Sequence, residues 1–129
     1  MENCIFCKII KGEIPSNKVF EDDQTIVFMS IDPATNGHLL VVPKKHIVTI
    51  EDMDLDTLSH MYSIIKDLYP MLREKLNCEG LTIAQNNDLG QEVKHFHIHL
   101  IPRYEGDNAD FNYDKTKVSP IEEVFEKLK

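Results

Sequence analysis

The sequence lacks several features that would assign it to other classes of protein. Its 129 residues contain no uninterrupted apolar stretch of the about 18 residues that a membrane-spanning helix needs. It has only three cysteines, and an odd number argues against a framework of disulfides. It has no internal repeats or low-complexity segments. Because the first residues carry neither the basic flank nor the apolar block of a signal peptide, we expect a cytoplasmic protein.

Basic residues are also scarce, with 14 Lys and Arg against 22 Asp and Glu, which gives a formal net charge of −8. Nucleic-acid polymers and anionic membranes repel such a protein at long range, so we expect neither as a partner. Any phosphate that it binds should belong to a small molecule. Hydrophobic residues make up 42% of the chain, as in ordinary globular proteins, and we expect one domain over residues 1–129.

The spacing of apolar residues changes along the chain and predicts an α+β fold. Short β-rich segments predict strands at residues 19–21, 25–29, 38–42, 81–84 and 95–101, of which the second and third form a hairpin with a long loop. Apolar residues three and four apart predict one long helix over residues 54–76, capped by Asp52 or Asp54, kinked or divided at Pro70 and followed by Gly80. Short helices are predicted at residues 4–10 and 121–128. The architecture expected is an antiparallel sheet of about five strands, packed by the long helix and the short N-terminal helix.

Three alternating histidines, His95, His97 and His99, lie within an apolar run. In a β-strand they would share one face, while the apolar residues between them would share the other. Neutral imidazoles offer hydrogen-bond donors, acceptors and a nucleophile near pH 7. A solvated strand face normally carries Lys, Glu, Thr or Ser, so three histidines on one face by chance is improbable. A three-histidine metal site is a competing interpretation.

With this motif the chain resembles the histidine triad (HIT) family of nucleotidyl hydrolases and transferases, named for His-x-His-x-His followed by two apolar residues. The resemblance covers residues 4–104 and leaves residues 105–129 as a C-terminal tail. It includes Ile5-Phe6-Cys7-Lys8-Ile9-Ile10, Glu13-Ile14-Pro15, the segment from Gly37 to His46, and Gly90-Gln91. His99 favours the nucleoside phosphoramidase-like (HINT) branch, because the uridylyltransferase branch has glutamine there. The resemblance implies a HIT-like fold and a homodimer.

The resemblance implies a hydrolase that acts at the α-phosphate of a nucleoside phosphoramidate or dinucleoside polyphosphate, with a purine nucleotide as ligand. His97 would form a nucleotidyl-histidine, which divides one difficult displacement into two easier steps. His99 and His38 would donate hydrogen bonds to the phosphate oxygens. The nucleotide-binding residues implied are Ile5, Phe6, Ile9, Phe28, Ser30, Ile31, Asn86, Gly90, Gln91, Glu92, Val93, His97 and His99.

Two of these positions depart from the family pattern. Ser30 stands where the phosphoramidase branch has an acidic residue that binds the ribose hydroxyls, and Asp32 follows two residues later. Glu92 stands where many relatives have a serine that helps to protonate the leaving group. A carboxylate there repels phosphate unless it is protonated or turned outward. Glu92 therefore keeps open an alternative function, a nucleotide-binding regulatory or interaction module with weak turnover.

Cys4 and Cys7 form a Cys-x-x-Cys pair, a spacing that lets both thiolates reach one metal ion. A redox pair has the same spacing, but a thioredoxin-type motif belongs to a βαβ unit, which is not expected here. In several bacterial members of the family, the two cysteines join two histidines whose positions here are His46 and His95. The resemblance thus implies a structural Cys₂His₂ zinc site, which would leave His97 free as a nucleophile.

Overall fold

The computed structural model describes residues 3–109 and 112–129, so that residues 110–111 of the predicted tail lie outside the described residues. The strands are β1 (Lys18–Glu21), β2 (Thr25–Met29), β3 (Leu39–Pro43), β4 (Gly80–Gln85) and β5 (Ile98–Arg103). The α-helices are α1 (Ile5–Ile10), α2 (Leu55–Leu76) and α3 (Ile121–Leu128), and short 3₁₀ helices cover Ile50–Asp52 and Lys115–Lys117. None of the described helices combines the length and apolar character needed to cross a membrane.

The five strands form one antiparallel sheet in the order β1-β2-β3-β5-β4. The predicted α+β architecture is confirmed, including the hairpin between β2 and β3. Because β5 inserts between β3 and β4, Leu40 of β3 pairs directly with His99 of β5. This pairing brings His38, the residue just before β3, next to the end of the histidine motif.

Both faces of the sheet are buried at its centre, which explains the nearly continuous apolar sequence of β2 and β3. Alternate residues such as Val27 and Val41 enter a core with Met61, Ile65 and Leu72 of α2. The other set of alternate residues packs on the opposite face against the N-terminal segment, in a cluster formed by Cys4, Phe6, Cys7, Ile26, Phe28, Leu40 and Val42. The sheet therefore separates α2 from α1.

The strand that carries the histidine motif begins later than predicted. β5 starts at Ile98, so His95 and His97 precede it. The backbone N–H of Phe96 donates instead to the carbonyl of Ile47 at 2.6 Å, which takes this segment out of the ladder. The alternation predicted for the side chains is nevertheless present, since Phe96, Ile98 and Leu100 lie in the α2 core.

Helix α2 is also longer and more regular than its proline suggests. Asp54 caps it by accepting a hydrogen bond from the Thr57 N–H at 2.9 Å, as one of the two alternatives predicted. The helix runs through Pro70 without division, because packing of its apolar face compensates for one lost backbone bond. Its C-cap is Asn77, in the left-handed conformation at φ 56°, and Gly80, expected just past the end of the helix, begins β4.

Gly37 allows the β2–β3 loop to approach the end of α2. Its φ is +89°, and a Cβ at this position would lie 2.4 Å from the Leu76 side chain. Only glycine meets both requirements without displacing its neighbours. Gly37 therefore holds the loop against α2 and sets the position of His38, the next residue.

Candidate active site and metal centre

A cavity of about 710 Å³ lies between α1, the β2–β3 loop and the histidine motif. His38, His97 and His99 all line it. All but one of the nucleotide-binding residues predicted from the sequence line it as well. Besides His97 and His99 these are Ile5, Phe6, Ile9, Phe28, Ser30, Ile31, Asn86, Gly90, Glu92 and Val93. The structure thus brings together side chains from α1, β2, the loop after β4 and β5.

Gln91 is the predicted binding residue that does not line this cavity. It is buried, and its side-chain amide donates to the carbonyl of Val48 at 2.7 Å. Its Oε1 accepts a hydrogen bond from the backbone N–H of Asp88 at 3.2 Å. Gln91 therefore shapes the loop that carries Gly90 and Glu92 into the cavity.

Several lining residues were not assigned a role from the sequence. They are Ile14, Pro15, Ser16, Asn17, Met29 and Leu40, and Asp32, which the sequence raised together with Ser30, also lines the cavity. The first four follow Gly12, which turns the chain at φ +81° directly after α1. Part of this segment contributed to the family resemblance, so its place beside the cavity could have been inferred from the turn and the resemblance together.

The backbone determines the tautomer of His97. Its Nδ1 lies 2.7 Å from the carbonyl oxygen of His95, and a carbonyl oxygen can only accept a hydrogen bond. Nδ1 therefore carries the proton, and Nε2 retains a lone pair. A neutral imidazole with a free Nε2 in a cavity is a competent nucleophile.

A second chain of hydrogen bonds determines the tautomers of His38 and His99. The backbone N–H of Ala34 donates to Nδ1 of His38 at 2.9 Å, so His38 carries its proton on Nε2. That Nε2–H donates to Nδ1 of His99, also at 2.9 Å. His99 must then carry its own proton on Nε2. The ring of His99 lies 4.9 Å from that of His97 between centroids, so a donor stands beside the nucleophile.

Burial keeps these three imidazoles neutral. Loss of solvation lowers the pKa of His38, His97 and His99, and for His99 it lowers the pKa to about 4, with repulsion from the other two adding to the effect. The charges of Asp32 and Glu92 act in the opposite direction on the pKa of His38 and His97 respectively. Neutral rings suit the tautomers that the hydrogen bonds require.

The low pKa of His99 makes the stability of the protein depend on pH. The pKa of this imidazole is about 4 in the folded chain and 6.5 ordinarily, so the unfolded chain binds more protons between these values and the free energy of unfolding falls as the pH is lowered. We expect protonation linked to His99 to lower the free energy of unfolding by about 1–2 kcal/mol between pH 7 and pH 5. Urea unfolding of the wild type and His99→Gln at both pH values measures it. The variant should lose less stability, and equal losses would contradict the assignment.

Four potential metal ligands, Cys4, Cys7, His46 and His95, form a cluster next to the cavity, with all ligand atoms within 4.8 Å of one another. Sγ of Cys4 lies 3.4 Å from Nδ1 of His95, and Sγ of Cys7 lies 3.2 Å from Nδ1 of His46 and 3.6 Å from Nδ1 of His95. A tetrahedral zinc ion with ordinary Zn–S and Zn–N bonds would separate sulfur and nitrogen by about 3.5 Å. The cluster therefore has the composition and the dimensions of a zinc site.

The contacts of His95 support the same interpretation. Its Nε2 lies 2.8 Å from the carbonyl oxygen of Pro43, so Nε2 carries the proton and Nδ1 presents a lone pair to the thiols. Among residues 3–109 and 112–129, the group of side chains that could hold a metal consists of Cys4, Cys7, His46 and His95, and it includes neither His97 nor His99. The three-histidine metal site considered from the sequence is therefore not formed.

Phe6 connects the metal cluster with the cavity. Its ring lies 6.0 Å from that of His95 and 5.0 Å from that of His97, both edge to face. Phe6 stands between Cys4 and Cys7 in the sequence, so a metal held by these cysteines would hold Phe6 against His97.

Comparisons with known proteins agree with this geometry. The family model of the HIT domain matches residues 11–106. An uncharacterized HIT-like protein of Methanocaldococcus jannaschii is 43% identical over 128 residues, which cover 98% of each chain. An adenosine 5′-monophosphoramidase of Candida albicans is 37% identical over 136 aligned residues, covering 98% of this chain and 90% of that protein.

A solved structure shows the same fold. The crystal structure of a zinc-bound histidine triad family protein from Mycobacterium smegmatis superimposes with a TM-score of 0.80 at 34% identity, covering 88% of this chain and 84% of that one. The match to the family model, the identity to these relatives and the shared fold lead to one conclusion. The chain belongs to the HIT, or histidine triad, family.

Proposed function

We propose that this protein is a nucleotidyl hydrolase that cleaves a nucleoside phosphoramidate or a dinucleoside polyphosphate at the α-phosphate, through a covalent intermediate on His97. The observation that carries the proposal is the hydrogen bond from Nδ1–H of His97 to the His95 carbonyl, which leaves Nε2 unprotonated in the cavity. The phosphoramidase activity named for the Candida albicans relative supports this substrate class.

The first step forms a bond between Nε2 of His97 and the α-phosphorus. The bond from phosphorus to the leaving nitrogen or oxygen breaks with its electron pair on the leaving atom, and a leaving amine takes up a proton from solvent. The imidazole of the intermediate keeps its Nδ1 proton and carries a positive charge, which the carbonyl of His95 stabilises at 2.7 Å.

The second step returns the enzyme to its starting state. A water molecule attacks phosphorus, the bond to Nε2 breaks with its electron pair on the imidazole, and a nucleoside monophosphate and a proton are released. The Nε2–H of His99 stands beside the attacking ring and is placed to donate to a phosphate oxygen in both steps. His38 was expected to donate to phosphate as well, but its Nε2–H donates to His99, so we propose that it acts as a positioning residue that keeps His99 in the required tautomer.

The apolar side chains of the cavity lining would bind the base. Phe6 and Phe28 meet edge to face at 5.5 Å, and Ile5 and Ile9 of α1 complete this wall. A planar purine fits a wall of aromatic and branched side chains. Ser30 and Asp32 also line the cavity and would offer oxygen acceptors to the ribose hydroxyls.

We further propose that Cys4, Cys7, His46 and His95 hold a structural zinc ion. Zinc bound by four protein ligands has no open position for a reactive water, so it contributes to folding rather than to the reaction. The dimensions of the cluster and the zinc-bound relative support this proposal. It assigns the two histidines 95 and 97 to different tasks although they are two residues apart.

We also propose a homodimer. β4 is an edge strand of the sheet, and its Ile83 is partly exposed. Leu55, Tyr62 and Leu76 of α2 are apolar residues that remain exposed as well. An open strand edge and exposed apolar side chains are both typical of interfaces between subunits.

Trapping of the intermediate tests the proposed reaction. A nucleoside phosphoramidate labelled at the α-phosphate is mixed with the enzyme, and the reaction is stopped within one turnover by alkaline denaturation, which preserves phosphorus–imidazole bonds. We expect the label on the peptide that contains His97. Turnover without protein-bound label at any time point would show that water attacks the substrate directly and would contradict the covalent mechanism.

A further inference from the structure

The cavity has an unusual charge for a phosphate-binding site. Among the described residues that line it, two carry negative charge, Asp32 and Glu92, and none is a lysine or an arginine. His38 and His99 each accept a hydrogen bond at Nδ1, from the N–H of Ala34 and from Nε2–H of His38, so neither ring carries a positive charge. Phosphate sites commonly neutralise their ligand with basic side chains. Here only neutral N–H groups are available to the phosphate.

Glu92 is the carboxylate on the side of the reacting imidazole. It follows Gln91, whose buried side chain holds the loop in place, and it lines the cavity together with His97. The charge of Glu92 acts on His97, whereas that of Asp32 acts on His38. Glu92 is exposed, and it forms no ion pair within residues 3–109 and 112–129. The basic residue next in sequence, Lys94, donates instead to the carbonyl of Asp88 at 3.1 Å.

We propose that Glu92 selects the leaving group by its charge, so that the enzyme acts best on nucleoside 5′-phosphoramidates whose amine leaving group carries a further positive charge. This inference rests on the proposed function. The neutral donors accommodate one negative charge on the α-phosphate. A second phosphate in the leaving group would be repelled by the Glu92 carboxylate, because no cation of the described cavity lining lies between them. A leaving group with an ammonium placed beyond the scissile bond pairs with Glu92 instead.

The inference narrows the substrate classes that the family resemblance allows. A dinucleoside polyphosphate adds several negative charges on the leaving side and is therefore a poor substrate. The net charge of −8 repels such polyanions from the whole molecule as well, so the local effect of Glu92 must be separated from the general one. A matched series of substrates and a matched charge variant make this separation.

The experiment compares three phosphoramidates of one nucleoside 5′-monophosphate. Their leaving amines are 1,3-diaminopropane, 3-aminopropanol and 3-aminopropanoate, which place a positive, a neutral and a negative group at the same distance from the P–N bond. We expect kcat/KM of the wild type to fall in that order, by about tenfold for each unit of charge. Glu92→Gln should reduce the ratio between the first and third substrates to within about threefold.

Glu74→Gln is the control, because Glu74 is an exposed residue of α2 outside the cavity and the change alters net charge equally. It should keep the wild-type ratio. If Glu92→Gln also keeps the wild-type ratio, including the case in which kcat/KM falls equally for all three substrates, the proposal that Glu92 selects by charge is wrong. The proposed hydrolase activity is not affected by that result. If the wild type cleaves none of the three and forms no labelled His97, the proposed function itself fails.

Discussion

His97→Ala should abolish turnover while leaving nucleotide binding nearly intact. The substitution removes Nε2 of His97, the atom that we propose attacks phosphorus, so the two-step route is lost rather than slowed. By comparison with the loss of other covalent nucleophiles, we expect kcat to fall on the order of 10⁴- to 10⁶-fold. The proposed base pocket around Phe6 and Phe28 and the donor on His99 remain, and Kd for a nucleoside monophosphate should change by less than about tenfold.

Rapid-quench kinetics measure kcat, and isothermal calorimetry measures Kd. His60→Ala is the matched control, since His60 lies on α2 and pairs with Asp22 outside the cavity. This control should retain wild-type turnover per folded molecule. Residual turnover of His97→Ala within about a hundredfold of the wild type would show that another group attacks the phosphorus, and the assignment of His97 would be wrong.

Removal of the proposed zinc ion should have the second large effect, a loss of stability. A structural zinc ion contributes folding free energy directly, and this chain has a hydrophobic core of its own, so we expect chelation to cost several kcal/mol rather than to unfold the protein at room temperature. For a domain of this size the loss corresponds to a Tm lower by about 10–20 °C. Cys4→Ser should lower Tm to a similar extent and abolish stoichiometric zinc in the purified protein.

Cys78→Ser is the matched control, because Cys78 is a buried cysteine that belongs to the α2 core and not to the cluster. Its zinc content and its loss of Tm on chelation should equal those of the wild type. Turnover per folded molecule of the stripped protein should fall much less than its stability. If the stripped protein keeps its Tm and loses all turnover, the metal takes part in the reaction and our assignment of the two sites is incorrect.

The two sites share a short segment of backbone, and this explains why stripping should affect turnover at all. His95 presents Nδ1 to the thiols, while its carbonyl oxygen accepts a hydrogen bond from Nδ1–H of His97. The metal would thus hold the acceptor that determines the tautomer of the nucleophile. Phe6, between the two cysteines, is the second connection, through its contact with the His97 ring. The expected consequence is a modest loss of activity, in which KM rises about as much as kcat falls.

Much of the fold follows from local pattern. The three- and four-residue spacing of α2 and the apolar character of β2 and β3 were sufficient to predict these elements, because each is dictated by which side chains can be buried together. The ends of elements were less predictable. Asn77 caps α2 although Gly80 follows it, and Pro70 remains within the helix, since packing against the sheet outweighs both local preferences.

The candidate site shows the same division. That the three histidines of the motif lie on the side of the chain opposite to Phe96 and Ile98 could be predicted from alternation alone. Alternation could not predict that the strand begins only at Ile98, because the earlier residues of the motif are held by a hydrogen bond between Phe96 and the distant Ile47. Gln91 likewise lies outside the cavity because the Val48 carbonyl, far away in the sequence, takes its amide.

The sequence by itself determined the family, the alternation of the histidines, the acidic charge and the ligand types of the metal cluster, all of which depend on residue identity and spacing. Only the tertiary structure decided which nitrogen of each imidazole carries the proton. For His38, His95 and His97 the partners that decide it are backbone groups, the N–H of Ala34 and the carbonyls of Pro43 and His95, and His38 in turn decides it for His99. Every residue possesses such groups, so their positions are known only when the chain is folded.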